Sequence, residues 1–328
     1  MSKKAILKIN DLKMYFPVYQ GLLRRKIGEV KAVDGVSFYI PEGETFGLVG
    51  ESGCGKTTTG KCVLRILEPT GGSIEYNQKN ITHATPAQMR QYRREIQMIF
   101  QDPYGSLDPR QSVKSIVKEA LTAGNEKQWT KGELEERISD LLNTVGLDTS
   151  LGDRYPHEMS GGQRQRLGIA RALACAPRLI VCDEPVSALD VSIQAQIINL
   201  FEELQQKMGL SYLFVAHDLA VVRHISQKIA VMYLGHVVEI TEADLLYKRP
   251  LHPYTQALLS AIPITDYYVE KQRKRIVLEG DVPSPIHAPS GCPFHPRCPY
   301  ATDACRQQMP ALIQVEANHR VACHNINM

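Results

Sequence analysis

A short apolar run, Phe46-Gly47-Leu48-Val49, leads directly into Gly50-Glu51-Ser52-Gly53-Cys54-Gly55-Lys56-Thr57. Glycines placed this way let consecutive backbone N–H groups surround phosphate oxygens at the N-terminus of a helix. The chain must therefore supply a strand, a tight loop and a helix in immediate succession. In such a loop Lys56 reaches the β- and γ-phosphates, Thr57 binds Mg²⁺, and Thr58 lies beside it within the nucleotide site. Cys54 fills space in the loop, and the nearby Lys56 would draw its thiol pKa down.

Three further apolar runs end at a polar residue or turn: Ile96–Phe100 before Gln101, Leu179–Cys182 before Asp183, and Tyr212–Ala216 before His217. With Phe46–Val49 they give the pattern of buried parallel strands whose carboxyl ends line one crevice, so the predicted core is doubly wound α/β. Ile6–Ile9, Val36–Ile40 and Ser73–Tyr76 read as short strands of a small antiparallel layer. Ser112–Leu121 and Glu133–Val145 carry helical periodicity, with Gly146 as a stop, and predict a helical subdomain. Met232–Ile240 reads as a last core strand containing Gly235. Beyond it, prolines at 250, 253, 263, 283, 285 and 289 predict a loop-rich region in need of other staples.

Composition excludes some classes. The 328 residues are 43% hydrophobic and 22% charged, as expected of a globular protein with a sizeable core. Lys and Arg number 38 against 35 Asp and Glu, a net charge of +3 that gives little support to nucleic-acid binding. The basic runs at 24–26 and 271–275 read as solvated faces. No apolar run reaches the length of a membrane span, and Met1-Ser2-Lys3-Lys4 leads into a strand-like stretch rather than a signal-peptide core. The chain is expected in the cytoplasm, where eight cysteines would not form a disulfide framework.

Leu179-Ile180-Val181-Cys182-Asp183-Glu184 delivers two carboxylates from the end of a strand. Together with the phosphate loop this predicts a division of labour. Asp183 holds Mg²⁺ through its water shell, while Glu184 orients and polarises the attacking water.

Ser160-Gly161-Gly162-Gln163, followed by the helical run from Arg164 to Ala174, is the more restrictive signature. On it, the chain resembles the ATP-binding cassette (ABC) family over about residues 5 to 240. The resemblance implies an α/β P-loop nucleotide hydrolase with a RecA-like core, an antiparallel β subdomain and a helical subdomain at about 102–165, within an ATPase domain of residues 1–240. It implies that Ser160, Gly161, Gly162 and Gln163 contact the γ-phosphate of ATP held by a second subunit, so that the chain works as half of a dimer. It assigns Gln101, in Phe100-Gln101-Asp102-Pro103, to Mg²⁺ and to the link with the helical subdomain. It makes His217 the switch histidine that joins γ-phosphate to Glu184. Asp190, in Ser187-Ala188-Leu189-Asp190, falls on the loop that crosses the dimer interface, although the same residues also read as a helix N-cap. Tyr15 is the adenine-stacking aromatic, with Phe16 as its alternative. Met159 stands where the family most often has leucine.

Leu251-His252-Pro253-Tyr254-Thr255-Gln256-Ala257-Leu258-Leu259 and Gly291-Cys292-Pro293-Phe294-His295-Pro296-Arg297-Cys298 resemble the C-terminal extension of ATP-binding subunits from bacterial oligopeptide/dipeptide importers, here 241–328. This implies ATP-driven peptide import at the cytoplasmic face of the membrane. The implied partners are a homologous second ATPase, two membrane-spanning permease subunits and an extracytoplasmic peptide-binding protein. Importers of nickel or glutathione share the extension, and soluble ABC proteins acting on ribosomes or DNA form the rival class. Cys292, Cys298, Cys305 and Cys323 would hold a [4Fe–4S] cluster, as in some members of that importer family, with zinc and free thiols as the other readings.

Overall fold

The computed structural model of the chain describes residues 3–21, 25–124, 129–263 and 275–326. Arg24 and 271–274 of the two basic runs lie outside them. The first third contains β1 (Ala5–Gln20), β2 (Arg25–Pro41), β3 (Thr45–Val49), α1 (Lys56–Val63), β4 (Gly71–Tyr76) and β5 (Lys79–Asn80). Next come α2 (Pro86–Glu95), β6 (Ile96–Ile99), α3 (Pro103–Ser106), α4 (Val113–Gly124), α5 (Lys131–Thr144) and α6 (Gly161–Leu173). They are followed by β7 (Leu179–Asp183), α7 (Val191–Met208), β8 (Ser211–Ala216), α8 (Leu219–Ile225), β9 (Lys228–Tyr233) and β10 (His236–Glu242). The C-terminal region adds α9 (Ala243–Lys248), α10 (Pro253–Ser260), α11 (Asp303–Gln307), β11 (Ile313–Glu316) and β12 (His319–Val321).

These elements fall into two compact units. The first takes in the chain up to Ile6, Ile40–Glu44 and His83–Val215. Its strands β6, β7 and β8 lie side by side and parallel, with Ile96 opposite Leu179 and Leu179 opposite Ser211. All five residues of β7 and all six of β8 are buried, which is why these strands read as continuous apolar runs rather than alternating ones. Phe201 on α7 meets Tyr212 and Phe214 edge-on, at ring-centroid distances of 5.4 and 5.9 Å. Helices α4, α5 and α6 pack against one another. Helix α5 starts at a capping box in which Thr130 accepts from the Glu133 amide and the Glu133 side chain accepts from Thr130.

The second unit comprises Leu7–Tyr39, Thr45–Thr82 and the chain from Ala216 onward. Here β3 runs parallel to β9, β9 turns back antiparallel into β10, and β10 continues through β12 to β11. The predicted single strand at 232–240 is thus a hairpin. Leu234 and Gly235 both have positive φ, 42° and 81°, the conformation that a two-residue turn between twisted strands demands. A second sheet has the order β2-β1-β4-β5. Its first two strands extend well past the predicted 6–9 and 36–40, because the distal part of β1 is largely exposed and carries no apolar alternation to read. Asp11, at φ 47°, also breaks the alternation where the register with β4 shifts between Asn10 and Lys13.

Candidate functional site

Strand β3 is buried throughout and delivers the phosphate loop at its carboxyl end. Gly55 has φ 106°, and a Cβ there would stand 2.1 Å from the Ala32 carbonyl oxygen, so the loop can close only with glycine at this point. The Cys54 carbonyl accepts from the Gly235 amide at 2.9 Å, which ties the loop to the turn between β9 and β10. Lys56 is buried, and its ammonium donates to the carbonyls of Gly50 at 2.7 Å and Glu51 at 2.9 Å. Ser52 and Gly53 are exposed, while Thr57 and Thr58 are half-buried in the first turn of α1. Cys54 departs from expectation. Burial pushes its thiol pKa up, and Lys56, 3.8 Å from the sulfur, offsets that only in part. Tyr15 donates its hydroxyl to Asp34 Oδ1 at 2.6 Å, with the Lys31 ammonium 5.4 Å from its ring centroid. Burial and the Asp34 carboxylate both raise the phenol pKa, so the tether persists at any ordinary pH.

In the other unit β6 and β7 bring Gln101 and Glu184 together. The Gln101 side-chain amide donates to the Glu184 carboxylate at 3.0 Å. Glu184 has φ 46°, a left-handed conformation that costs a side-chain-bearing residue about 1–3 kcal/mol. Its amide donates to the Val215 carbonyl at 2.9 Å, and its carbonyl accepts from the Ser187 hydroxyl at 3.1 Å, which holds it there. Asp183, the last residue of β7, is buried. Ser160 and Gln163 form a capping box on α6: the Gln163 amide donates to Ser160 Oγ at 3.3 Å, and the Ser160 amide to Gln163 Oε1 at 2.9 Å. A Cβ on Gly162 would come within 2.8 Å of Ile193, so this helix start is fitted closely to α7. Asp190 caps α7. Hydrogen bonds from the Ser192 hydroxyl and the Ile193 amide hold its carboxyl below the usual range. His217 follows β8 directly and is exposed, and Asp218 beside it caps α8.

A phosphate-loop strand, a paired carboxylate and glutamine, and a glycine-rich capping box within one chain agree with what the comparisons find. Residues 33–187 match the family model described as ABC transporter, and 238–305 the one described as Oligopeptide/dipeptide transporter, C-terminal region. The oligopeptide transport ATP-binding protein AppF of Bacillus subtilis (strain 168) is 53% identical over 324 residues, covering 98% of each chain. The chain belongs to the ABC transporter family as an ATP-binding subunit. The oligopeptide transport ATP-binding protein OppF of Escherichia coli (strain K12) is 48% identical across 99% of this chain and 97% of its own. Among solved structures, a dimeric ATP-binding cassette, MJ0796 in a post-hydrolysis state with ADP and Pi, covers 72% of this chain and 98% of its own, at TM-score 0.65 and 26% identity.

What distinguishes this ABC subunit from the bare cassette fold is how its C-terminal extension is anchored, and sequence reasoning missed the anchors. Glu239 on β10 is fully buried. Its carboxylate accepts from the amides of Leu251 at 2.9 Å and His252 at 3.0 Å, and from His319 Nε2 on β12 at 2.7 Å. Burial drives the His252 pKa down to about 4, with Glu239 opposing this, and its neutral Nδ1 caps α10 by accepting from the Tyr254 amide at 3.1 Å. Tyr233 of β9, Tyr254 and Phe294 form an aromatic cluster with ring centroids 4.8 to 5.4 Å apart. Arg297, on a short turn at 295–297, reaches back to Glu51 of the phosphate loop.

The four C-terminal cysteines are all free thiols gathered in one lobe. The Cys292 amide donates to the Cys305 carbonyl at 2.8 Å, Thr302 Oγ1 lies 3.3 Å from the Cys305 sulfur, and the Asn325 amide donates to the Cys323 sulfur at 3.3 Å. Burial pushes the Cys292 thiol up to about 11, and the other three thiols add to the rise. Among the described residues no three His, Cys, Asp or Glu side chains form a group that could hold a metal ion. Nor, among them, is any helix long and apolar enough to cross a membrane.

Proposed function

We propose that this ABC ATPase powers uptake of oligopeptides or dipeptides from the cytoplasmic face of a membrane. The observation that carries the reading is the match of the whole chain, extension included, to oligopeptide transport ATP-binding proteins. The chain would pair with a homologous cassette, dock on two membrane-spanning subunits and receive cargo from an extracytoplasmic binding protein. Pairing is supported by the likeness to a dimeric cassette. Nothing observed favours nickel, glutathione, ribosomes or DNA.

The roles follow the chemistry of each group. Lys56 and the loop amides take the phosphates, Thr57, Gln101 and the water shell of Asp183 take Mg²⁺, and Tyr15 or Phe16 stacks on the adenine. Mg²⁺ supplies charge neutralisation on the phosphoryl oxygens. Glu184 accepts a proton from, and orients, the attacking water; Gln101, within hydrogen-bond distance of Glu184, aligns it. His217 contacts the γ-phosphate, while Ser160–Gln163 and Asp190 serve the partner's nucleotide across the dimer. The ATPase domain would end near residue 240. Cys292, Cys298, Cys305 and Cys323 would ligate a [4Fe–4S] cluster that braces the extension. The support for that assignment is the likeness of the extension to oligopeptide/dipeptide transporters, since the four thiols as they stand form no metal-holding group.

The test is to purify tagged Glu184→Gln protein with ATP from detergent-solubilised membranes, anaerobically, and to identify what accompanies it. The expected result is two multispanning proteins and a second cassette ATPase, with iron and acid-labile sulfide in the preparation. Ribosomes or DNA without membrane subunits would overturn the transport reading, and zinc or metal-free thiols would overturn the cluster.

A further inference from the structure

Glu51 occupies a position of the phosphate loop that the nucleotide does not require to be acidic, yet every polar group it has is engaged. Its carboxylate accepts two hydrogen bonds from the Arg297 guanidinium, Nη1 to Oε2 at 2.9 Å and Nη2 to Oε1 at 3.3 Å. Its amide donates to the Tyr254 hydroxyl at 2.9 Å. Its carbonyl accepts from Lys56 Nζ, also at 2.9 Å. Two of these three ties come from the C-terminal extension, 203 and 246 residues away along the chain. The third leads straight to the lysine that meets phosphate.

The fixing groups are themselves fixed. The Arg297 side chain is 9% exposed against 27% for Glu51, so the pair is largely screened from water, where a two-pronged, charge-assisted contact holds its geometry best. Its guanidinium lies 6.0 Å from the centroid of the Tyr233 ring. The turn that carries it is bound at both ends: His295 directs its amide and Nδ1 to the Cys292 carbonyl, each at 3.0 Å, and the Cys298 amide donates to the His295 carbonyl at 3.3 Å. Tyr254 is buried within the aromatic cluster with Tyr233 and Phe294.

We infer that Arg297 and Tyr254 are positioning residues for the phosphate loop: acting through Glu51, they fix the Gly50–Glu51 carbonyls that hold Lys56, so that the C-terminal extension sets the affinity for MgATP. The inference rests on the ATPase reading above and names a device within it. Neither residue touches the nucleotide in this account. Both act by limiting the orientations of the peptide on which Lys56 is hung.

The test is isothermal titration of MgATP into the full-length chain and into Arg297→Gln, Glu51→Gln, the double variant, Arg297→Lys and Tyr254→Phe. Removing either side of the charged pair is expected to weaken MgATP binding about tenfold. The double variant should bind no more weakly than either single one, because both remove the same contact. Arg297→Lys keeps the charge without the fork and should recover part of the loss. Tyr254→Phe keeps the ring in the cluster, so it reports on the hydroxyl even if another variant folds poorly. Variants that bind within twofold of the native chain, or a double variant whose loss is the product of the single losses, would overturn the inference alone. A native chain that binds no MgATP would overturn the ATPase reading with it.

Discussion

Glu184 is the residue at which local backbone energetics and the proposed chemistry conflict. Its left-handed φ of 46° is held by hydrogen bonds to Val215 and from Ser187. A glycine would adopt that φ freely, at the expense of about 0.5–1 kcal/mol of extra chain entropy, which offsets only part of the roughly 1–3 kcal/mol of strain it removes. Glu184→Gly should therefore melt within a few degrees of the native chain or above it, while ATP turnover is lost. A melting temperature depressed by 10 °C or more, on the order of 3–5 kcal/mol, would show that the carboxylate has a structural task instead. The sequence led to Glu184 because it follows an apolar strand beside a second acid. The contact from Gln101 could not be read there, since the two are joined only by the pairing of β6 with β7. Cys54 illustrates the opposite failure: Lys56 two residues away suggested a lowered pKa, but burial, which no spacing reveals, outweighs it.

At the scale of elements, buried parallel strands were legible because neither face meets water and their apolar runs are unbroken. The stretch 228–242 was not, because Leu234 hides a turn inside a run of apolar residues, and only Gly235 hinted at it. The seam between β10, α10 and β12 was equally hidden, since the partners of Glu239 lie at 251, 252 and 319. That seam makes stability depend on pH. His252 has a folded pKa of about 4 against an ordinary 6.5, so the folded chain disfavours the proton. Its contribution is intact above about pH 6.5 and is lost progressively as the pH falls towards 4; at pH 5 the loss is about 2 kcal/mol. Asparagine can accept the Tyr254 amide hydrogen bond without titrating. In thermal melts at pH 7.5 and 5, His252→Asn should lose about 4–8 °C less than the native chain does. Equal losses would show that His252 is not the source of the acid sensitivity.

Across the whole molecule, the question is whether the extension is an attachment to a finished cassette or part of the fold. The likeness to a cassette that matches over 98% of its own length but spans only 72% of this chain favours the first view. The contacts argue the second. Without residues beyond 242, β10 loses its pairing with β12, and the Tyr233 ring loses Tyr254 and Phe294. Glu51 loses Arg297, and the Glu239 carboxylate, fully buried, loses all three of its hydrogen-bond donors. Stripping the partner from a buried charge costs about 3–5 kcal/mol, and each kcal/mol lowers the melting point of a domain this large by roughly 2–4 °C. A chain ending after Glu242 should therefore melt on the order of 10 °C lower than the native one, or fail to accumulate in soluble form. The native chain should show no separate low-temperature transition for the extension. Glu239→Leu in the truncated chain replaces the stranded carboxylate with an apolar side chain, and should recover part of the lost melting temperature by sparing the desolvation of an unpaired charge. If the truncated chain melts with the native one and Glu239→Leu changes nothing, the extension is an appendage, and its ties to the phosphate loop carry no mechanical load.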